Sequence, residues 1–310
     1  MKFELYSYIQ PFVQKTDDKK LIAVPLAILA VALIIIAFTT IQIGSPVSLG
    51  MDFVGGTQFT VTAALTEEQL QNMFSDYPLN DIRISGTRII LQFSQMDNEE
   101  MTALENLIRG NPAFSDIDQK QVAPIYSQQL QKTALYALIC SFAGMAAVIF
   151  IIFRKIVSSL AIILSAASDI LISIAFMNIF GIELTLGTVA ALLMLIALSV
   201  DSNILLTNKV LKRSGNTDDK IKGAMRTGLL MTTTTIAAFL VMFVVSSFLH
   251  YIVPGIPPIP LLSQISLIVL IGLLADIFNT WFLNAGILRM YLKRPKSKSK
   301  SKSKKGGWRA

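Results

Sequence analysis

Cysteine and histidine are almost absent from this chain: Cys140 and His250 stand alone among 310 residues. A single cysteine forms no intrachain disulfide and gives no zinc-ligand spacing. A single histidine removes every mechanism that needs a His pair. Charge is scarce as well. Only 15% of the residues are Asp, Glu, Lys or Arg, where a soluble chain carries about 25%. The remainder is largely apolar, at 53% of residues and a mean hydropathy of +0.59, and it is gathered into blocks. That excludes an intrinsically disordered chain and argues against a soluble two-domain enzyme. No cofactor is implied, because the Gly55-Gly56 pair is followed by no P-loop lysine and is better explained as a backbone device.

Six blocks are long enough for a hydrocarbon core, which takes about 20 residues. They run Leu21–Ile43, Thr133–Phe153, Ile156–Asn178, Leu184–Thr207, Thr227–Leu249 and Pro260–Leu288. The first is too long for a signal-peptide core and lacks a small-residue cleavage site before Met51, so it is expected to remain as an anchor. The last exceeds what a span needs, so fraying or tilt is expected there. Residues 1–20, the Arg154–Lys155 hinge, the 208–226 loop and the 289–310 tail hold 22 of the 27 Lys plus Arg. The positive-inside rule therefore places all four, and both termini, in the cytoplasm. The outer connections near Phe180 and Pro254 carry no Lys or Arg. The net charge of +7 is thus expected to be topological, and no nucleic-acid partner is expected. The Lys-Ser tail is too repetitive to fold, and its expected partner is anionic lipid, at about 1 kcal/mol per basic residue near the surface.

Residues 44–132 differ in kind, with 11 acidic and 5 basic residues. Gln58–Ala63 alternates as a strand does. Thr66–Ser75 opens with a helix-start signal. Ile82–Ser85 and Ile89–Phe93 flank Gly86-Thr87 as a hairpin. Asp97–Gly110 has an N-cap candidate, Glu100 three residues on and a closing glycine. Ile117–Ile125 supplies a last strand. The order β-α-β-β-α-β predicts a polytopic α-helical membrane protein with an inserted α+β, ferredoxin-like extracytoplasmic domain. Such a domain hosts many functions and by itself names none.

Three acids fall inside the spans: Asp169, Asp201 and Asp276. A carboxylate at a span's centre costs about 2.5–3.5 kcal/mol to insert, so it faces protein or water. For Asp169 and Asp276 a helix–helix hydrogen bond and a functional role are both open. Asp201 has polar company in Ser199, Ser202 and Asn203. Burial disfavours its charge, and a cation such as Arg226 at the start of the fifth span favours it. A carboxyl so balanced can load and release a proton. Arg226 also has a plain explanation as a snorkelling anchor. Of the run Thr232–Thr235, two or three are expected to bond back to their own helix, and the remainder to face Asp201. Cys140 is expected to be a small apolar residue of the second span, and His250 to lie at the membrane interface.

Two motifs resemble a known family. Gly50-Met51-Asp52-Phe53-Val54-Gly55-Gly56-Thr57 is similar to the signature that follows the first span in the SecF branch of the SecD/SecF family. Ala197-Leu198-Ser199-Val200-Asp201-Ser202-Asn203-Ile204-Leu205 resembles the fourth-span motif of that family, and Gly223-Ala224-Met225-Arg226-Thr227 the start of its fifth span. The order of one span, an external domain and five spans agrees over nearly the whole length. One departure stands out. Bacterial members of the branch place the acid one position later, where this chain has Ser202, and a shift of one residue turns a side chain by about 100°. That pattern and the short chain suggest an archaeal-type member.

The resemblance implies an accessory, non-enzymatic subunit of the Sec translocase. It would pair with SecD in a fold of the resistance-nodulation-division superfamily, associate with a SecYEG-type channel and act on translocating preproteins at the plasma membrane. It further implies Asp201 as the proton-responsive acid, Arg226 as its partner, Asn203 as a polar neighbour, and Asp52, Gly55, Gly56 and Thr57 as signature residues. Two other classes compete with it. An intramembrane aspartyl protease needs two facing aspartates, but its Tyr-Asp and Gly-x-Gly-Asp motifs are absent. A stand-alone exporter of the same superfamily would have to assemble from half-transporters.

Overall fold

The computed structural model describes residues 17–85, 87–122, 124–212, 217–252 and 259–293. Residues 1–16, Gly86, the connection around Pro254, the tail from 294 onward and the His250 side chain lie outside the described residues. An unbroken apolar run forms α1 (Asp18–Ile43). A short strap then leads to a single turn of helix, α2 (Met51–Val54). The small domain follows as β1 (Gly56–Thr62), α3 (Glu67–Met73), β2 (Leu79–Ser85), β3 (Arg88–Phe93), α4 (Asn98–Gly110) and β4 (Ser115–Val122).

The four strands form one sheet in the order β2-β3-β1-β4, antiparallel throughout. Strand alternation decides its two faces. Phe59 and Val61 of β1 and Ile89, Leu91 and Phe93 of β3 turn inward, onto Leu70, Phe74, Leu104 and Ile108. Phe74 meets Phe93 edge-on, with ring centroids 5.5 Å apart. Gln58, Thr60 and Gln92 line the opposite face.

The helix starts follow local chemistry. The Gln69 side chain accepts from the Thr66 backbone N–H at 3.0 Å, and Asp97 accepts from Asn98 N at 2.8 Å. Asp97→Ala should therefore lower the domain's stability by about 1 kcal/mol, measured as an earlier urea midpoint for protease cleavage. The Gly-Gly pair is the backbone device expected. Gly55 and Gly56 have φ of +82° and +120°, and a Cβ on Gly56 would lie 2.3 Å from the Phe93 carbonyl oxygen.

The last strand ends at Val122 rather than Ile125. Pro124 has no N–H for a ladder and suits the first turn of a helix, so α5 (Pro124–Phe153) starts well before Thr133. The other membrane helices are α6 (Ile156–Ile179), α7 (Leu186–Lys212), α8 (Thr217–Ile252) and α9 (Pro260–Phe278). After α9 comes a π-helical turn, Asn279–Asn284, and then α10 (Ala285–Lys293). Two expectations change here. The 208–226 segment is mostly helix, because α7 runs on to Lys212 and α8 begins at Thr217. The long last span does not fray either; it continues through the π turn to Lys293.

Six helices are long and apolar enough to cross a membrane. Of these, α6, α7 and α9 are the most deeply packed, with α1, α5 and α8 outside them. α9 meets α7 closely because Gly272 leaves room, since a Cβ there would lie 2.3 Å from Leu195 Cδ2. Small residues at such crossings let the helix backbones approach each other.

Candidate functional site

The fourth-span motif divides by helical phase. Ser199 and Asn203, four residues apart, share one face of α7 and are fully buried. Asp201 lies about 200° around the helix from Ser199 and is exposed. Ser202 points a third way, its hydroxyl 3.5 Å from that of Thr232 on α8. The other three threonines of that run donate to backbone carbonyls of their own helix, Leu229 or Met231. Thr232 is thus the member of the run that faces another helix, and it faces Ser202.

The inward face of α7 meets a polar cluster built from α6 and the last span. Asp169 of α6 is 0% exposed and Asp276 of α9 is 1% exposed. Asp169 accepts from Ser199 Oγ at 2.5 Å and from Asn279 Nδ2 at 2.6 Å. Asp276 accepts from Thr280 Oγ1 at 2.8 Å. Asn203 donates to the Ser199 carbonyl at 2.9 Å and accepts from Asn284 Nδ2 at 2.7 Å. Among the described residues neither carboxylate is paired with a Lys or Arg. Asp276 Oδ2 and Asn279 Oδ1 are buried with no hydrogen-bond partner.

Sequence reasoning named Asp169, Asp276, Ser199 and Asn203 but missed Asn279, Thr280 and Asn284. Their signal was present in Asp276, Asn279, Thr280 and Asn284, polar positions at helical spacing in an otherwise apolar span. The π turn carries Asn279, Thr280 and Asn284, and such turns recur at functional sites.

Asp201 and Arg226 stand outside this cluster. Both are exposed, and among the described residues they form no ion pair with each other. Among the described residues the cations that tie α7 to α8 are lysines: Lys209 donates to Thr227 Oγ1 at 2.8 Å and to the Gly223 carbonyl at 3.1 Å, and Lys220 of α8 donates to the Val210 carbonyl at 3.5 Å. Asp201 belongs to an outward stripe of α7 with Leu186, Ala190, Ala197 and Asn208, all exposed. Cys140 is also exposed on its span.

The signature after α1 forms a junction at the other end of α7. Asp52 accepts from Lys120 Nζ on β4 at 2.7 Å and from Leu186 N at 3.1 Å. Thr57 is buried, with its hydroxyl 3.5 Å from Met101 Sδ. No His, Cys, Asp and Glu grouping fit for a metal occurs among the described residues.

Comparison with known proteins agrees with both motif regions. The family model "Protein export membrane protein SecD/SecF, C-terminal" matches residues 103–294, and the "SecD/SecF GG Motif" model matches residues 42–64. A protein-export membrane protein SecF of Methanolacinia petrolearia is 40% identical over 282 residues, covering 91% of this chain and 96% of its own. That of Haloferax volcanii is 40% identical, covering 88% of this chain and 92% of its own. In fold, the chain is similar to the crystal structure of SecDF, a translocon-associated membrane protein from Thermus thermophilus. The TM-score is 0.71 at 17% identity, over 89% of this chain and 38% of the SecDF chain. With a family model over most of its length and full-length relatives at 40% identity, the chain belongs to the SecD/SecF family of protein-export membrane proteins, in its SecF branch.

Proposed function

We propose that this protein is an accessory, non-catalytic subunit of the Sec translocase. It pairs with a SecD-type protein and promotes preprotein export across the plasma membrane, driven by an ion gradient. The observation that carries the reading is Asp201, an acid exposed on the outer face of a membrane helix. A carboxylate in a span is not left to lipid. Its neighbours Ala190 and Ala197 on the same stripe are the small residues that let another helix approach. Arg226 and Thr234 are exposed on α8 and extend the surface a partner would cover. The chain spans 38% of the SecDF chain that it resembles, which leaves room for that partner.

In this reading both termini are cytoplasmic and the small domain is extracytoplasmic, as the distribution of Lys and Arg favours. The domain is ferredoxin-like, on its strand order and β-α-β-β-α-β succession. The basic tail rests on anionic lipid, and the assembly works beside a SecYEG-type channel on preproteins in transit.

The ion pathway has an inner and an outer part. Inside, Asp169 and Asp276, with no Lys or Arg paired to them among the described residues and with Asn203 alongside, invite a proton or small cation. At the interface with the partner, Asp201 and Arg226 act together. Asp201→Asn should cut gradient-stimulated export about tenfold in membrane vesicles while leaving co-purification with the SecD-type partner intact. Gradient dependence equal to the native protein's would overturn the assignment of Asp201, and a chain that purifies only as a homo-oligomer would overturn the pairing.

A further inference from the structure

The geometry points to Asp52 as a positioning residue, the connector that makes the small domain and α7 move as one body. Its purpose rests on the ion-coupling reading above, whereas its geometry does not. The domain is joined covalently to α1, through the strap before α2, and to α5, which follows β4 directly. It has no such link to α7, the helix that carries Ser199, Asp201 and Asn203. Asp52 supplies one. It is 9% exposed and divides its two oxygens, Oδ1 to Lys120 Nζ of β4 and Oδ2 to the backbone N–H of Leu186, the first residue of α7.

That N–H is one of the donors a helix start leaves without a partner inside the helix, and a carboxylate there is favoured by the helix dipole. The backbone reinforces the same joint. Gly50 N donates to the Leu184 carbonyl at 2.8 Å, Leu184 N donates to the Ser48 carbonyl at 2.7 Å, and Leu49 and Leu184 form a parallel bridge. From the far side, the Gln131 side chain of α5 donates to the Phe53 carbonyl.

Beside the joint, the domain faces the bundle across an open cleft of about 300 Å³, lined among others by Gln58, Ile90, Gln92, Glu183, Leu261 and Gln264. Asp52 lines that cleft itself, and with its strap it sets the angle of the domain. An axial shift of α7 at Ser199 reaches Leu186 along about 20 Å of rigid helix and passes to β4 through one carboxylate. Aspartate suits the position because both of its oxygens must accept. Asparagine would turn a donor toward either Lys120 or the Leu186 N–H.

The test uses the full chain with its SecD-type partner in membrane vesicles. Cys140→Ser removes the native thiol, and spin labels are placed at Asn106→Cys on α4 and Phe180→Cys beyond α6, both exposed positions. The readout is the distance distribution from pulsed electron resonance. Asp52→Asn should broaden it at least twofold. Lys120→Met should also broaden it, while Lys120→Arg should leave it narrow; Lys120 is 57% exposed, so neither change endangers folding.

Asp169→Asn should shift the mean distance in the native background and not in the Asp52→Asn background, the non-additivity expected of coupled sites. A distribution as narrow as native in both Asp52→Asn and Lys120→Met would overturn the connector. Broadening by Asp52→Asn with no shift from Asp169→Asn in any background would uphold the connector and sink the ion-coupling reading instead.

Discussion

Asp169→Asn should abolish most gradient-stimulated export, a loss of tenfold or more, in a protein that still accumulates near its native level. Asp169→Leu should lose both activity and abundance. The difference follows from the two hydrogen bonds that end on Asp169, from Ser199 Oγ and Asn279 Nδ2. Asparagine has nearly the same shape; the Ser199 hydroxyl can rotate, and the Asn279 amide can turn over to present its unpartnered oxygen. The cluster is then satisfied, but position 169 can no longer change charge, and among the described residues only Asp276 remains as a buried acid there.

Leucine leaves two buried donors without acceptors, at about 1–3 kcal/mol each. Against a net stability of about 5–15 kcal/mol for a folded protein, that loss is enough to reduce abundance. Export assays in vesicles, with and without a collapsed gradient and normalised to immunoblotted protein, separate the two effects. An Asp169→Asn protein with native gradient dependence would remove Asp169 from the ion pathway and leave Asp276 and Asp201 to carry it.

Gly56→Val should unfold the small domain while the six membrane helices still insert. At φ of +120° an L side chain is strained, and the added Cβ would meet the Phe93 carbonyl at 2.3 Å. Backbone strain of this kind costs about 1–3 kcal/mol, and overpacking about 1–3 kcal/mol more. The obstacle is backbone in the neighbouring strand, where Thr57 pairs with Phe93, so it cannot move without opening the β1–β3 ladder. Limited proteolysis should give rapid cleavage within residues 56–122 and protected membrane fragments. A domain as resistant as native would mean that β1 can shift its register and that the Phe93 carbonyl is no fixed obstacle. Gly272→Ala makes a useful contrast. Its added Cβ would meet a side chain, Leu195, and not backbone, so the clash can be relieved by side-chain and helix shifts without opening a ladder.

The elements that could be foreseen in the sequence are those whose cause is local. Blocks of apolar residues gave the spans, Asp97 and Thr66 marked helix starts, and Gly55-Gly56 marked a backbone conformation few other residues adopt. Boundaries beyond the membrane were harder to place. Residues 217–226 carry too many charges to look like a span, yet they form the first turns of α8, with Ile221, Ala224 and Met225 packed into a hydrophobic cluster. The site was legible in its residue types and not in its partition. Ser199, Asp201 and Asn203 look like one cluster along the chain, yet helical phase sends the first and third inward and the second out. Which face turns inward is set by α6 and the last span, far away in sequence. Asn279 and Asn284 reach Asp169 and Asn203 from such a distance.

The π turn between α9 and α10 sets the rotational phase of the last span. It takes up about one residue more than an α-helical turn would, so everything after it is rotated by about 100° relative to an uninterrupted helix. With plain α geometry, Asn284 would turn away from Asn203, and the buried Leu288 would leave the seam it fills. The span thus consists of two keyed halves. Its α9 half is matched to Leu195 and Ile196 of α7 and holds Asp276, and its α10 half is matched to α1, where Gly286 lies against Ile22. A deletion of one residue between 279 and 284 would leave the hydropathy of the span almost untouched and put its two halves out of step.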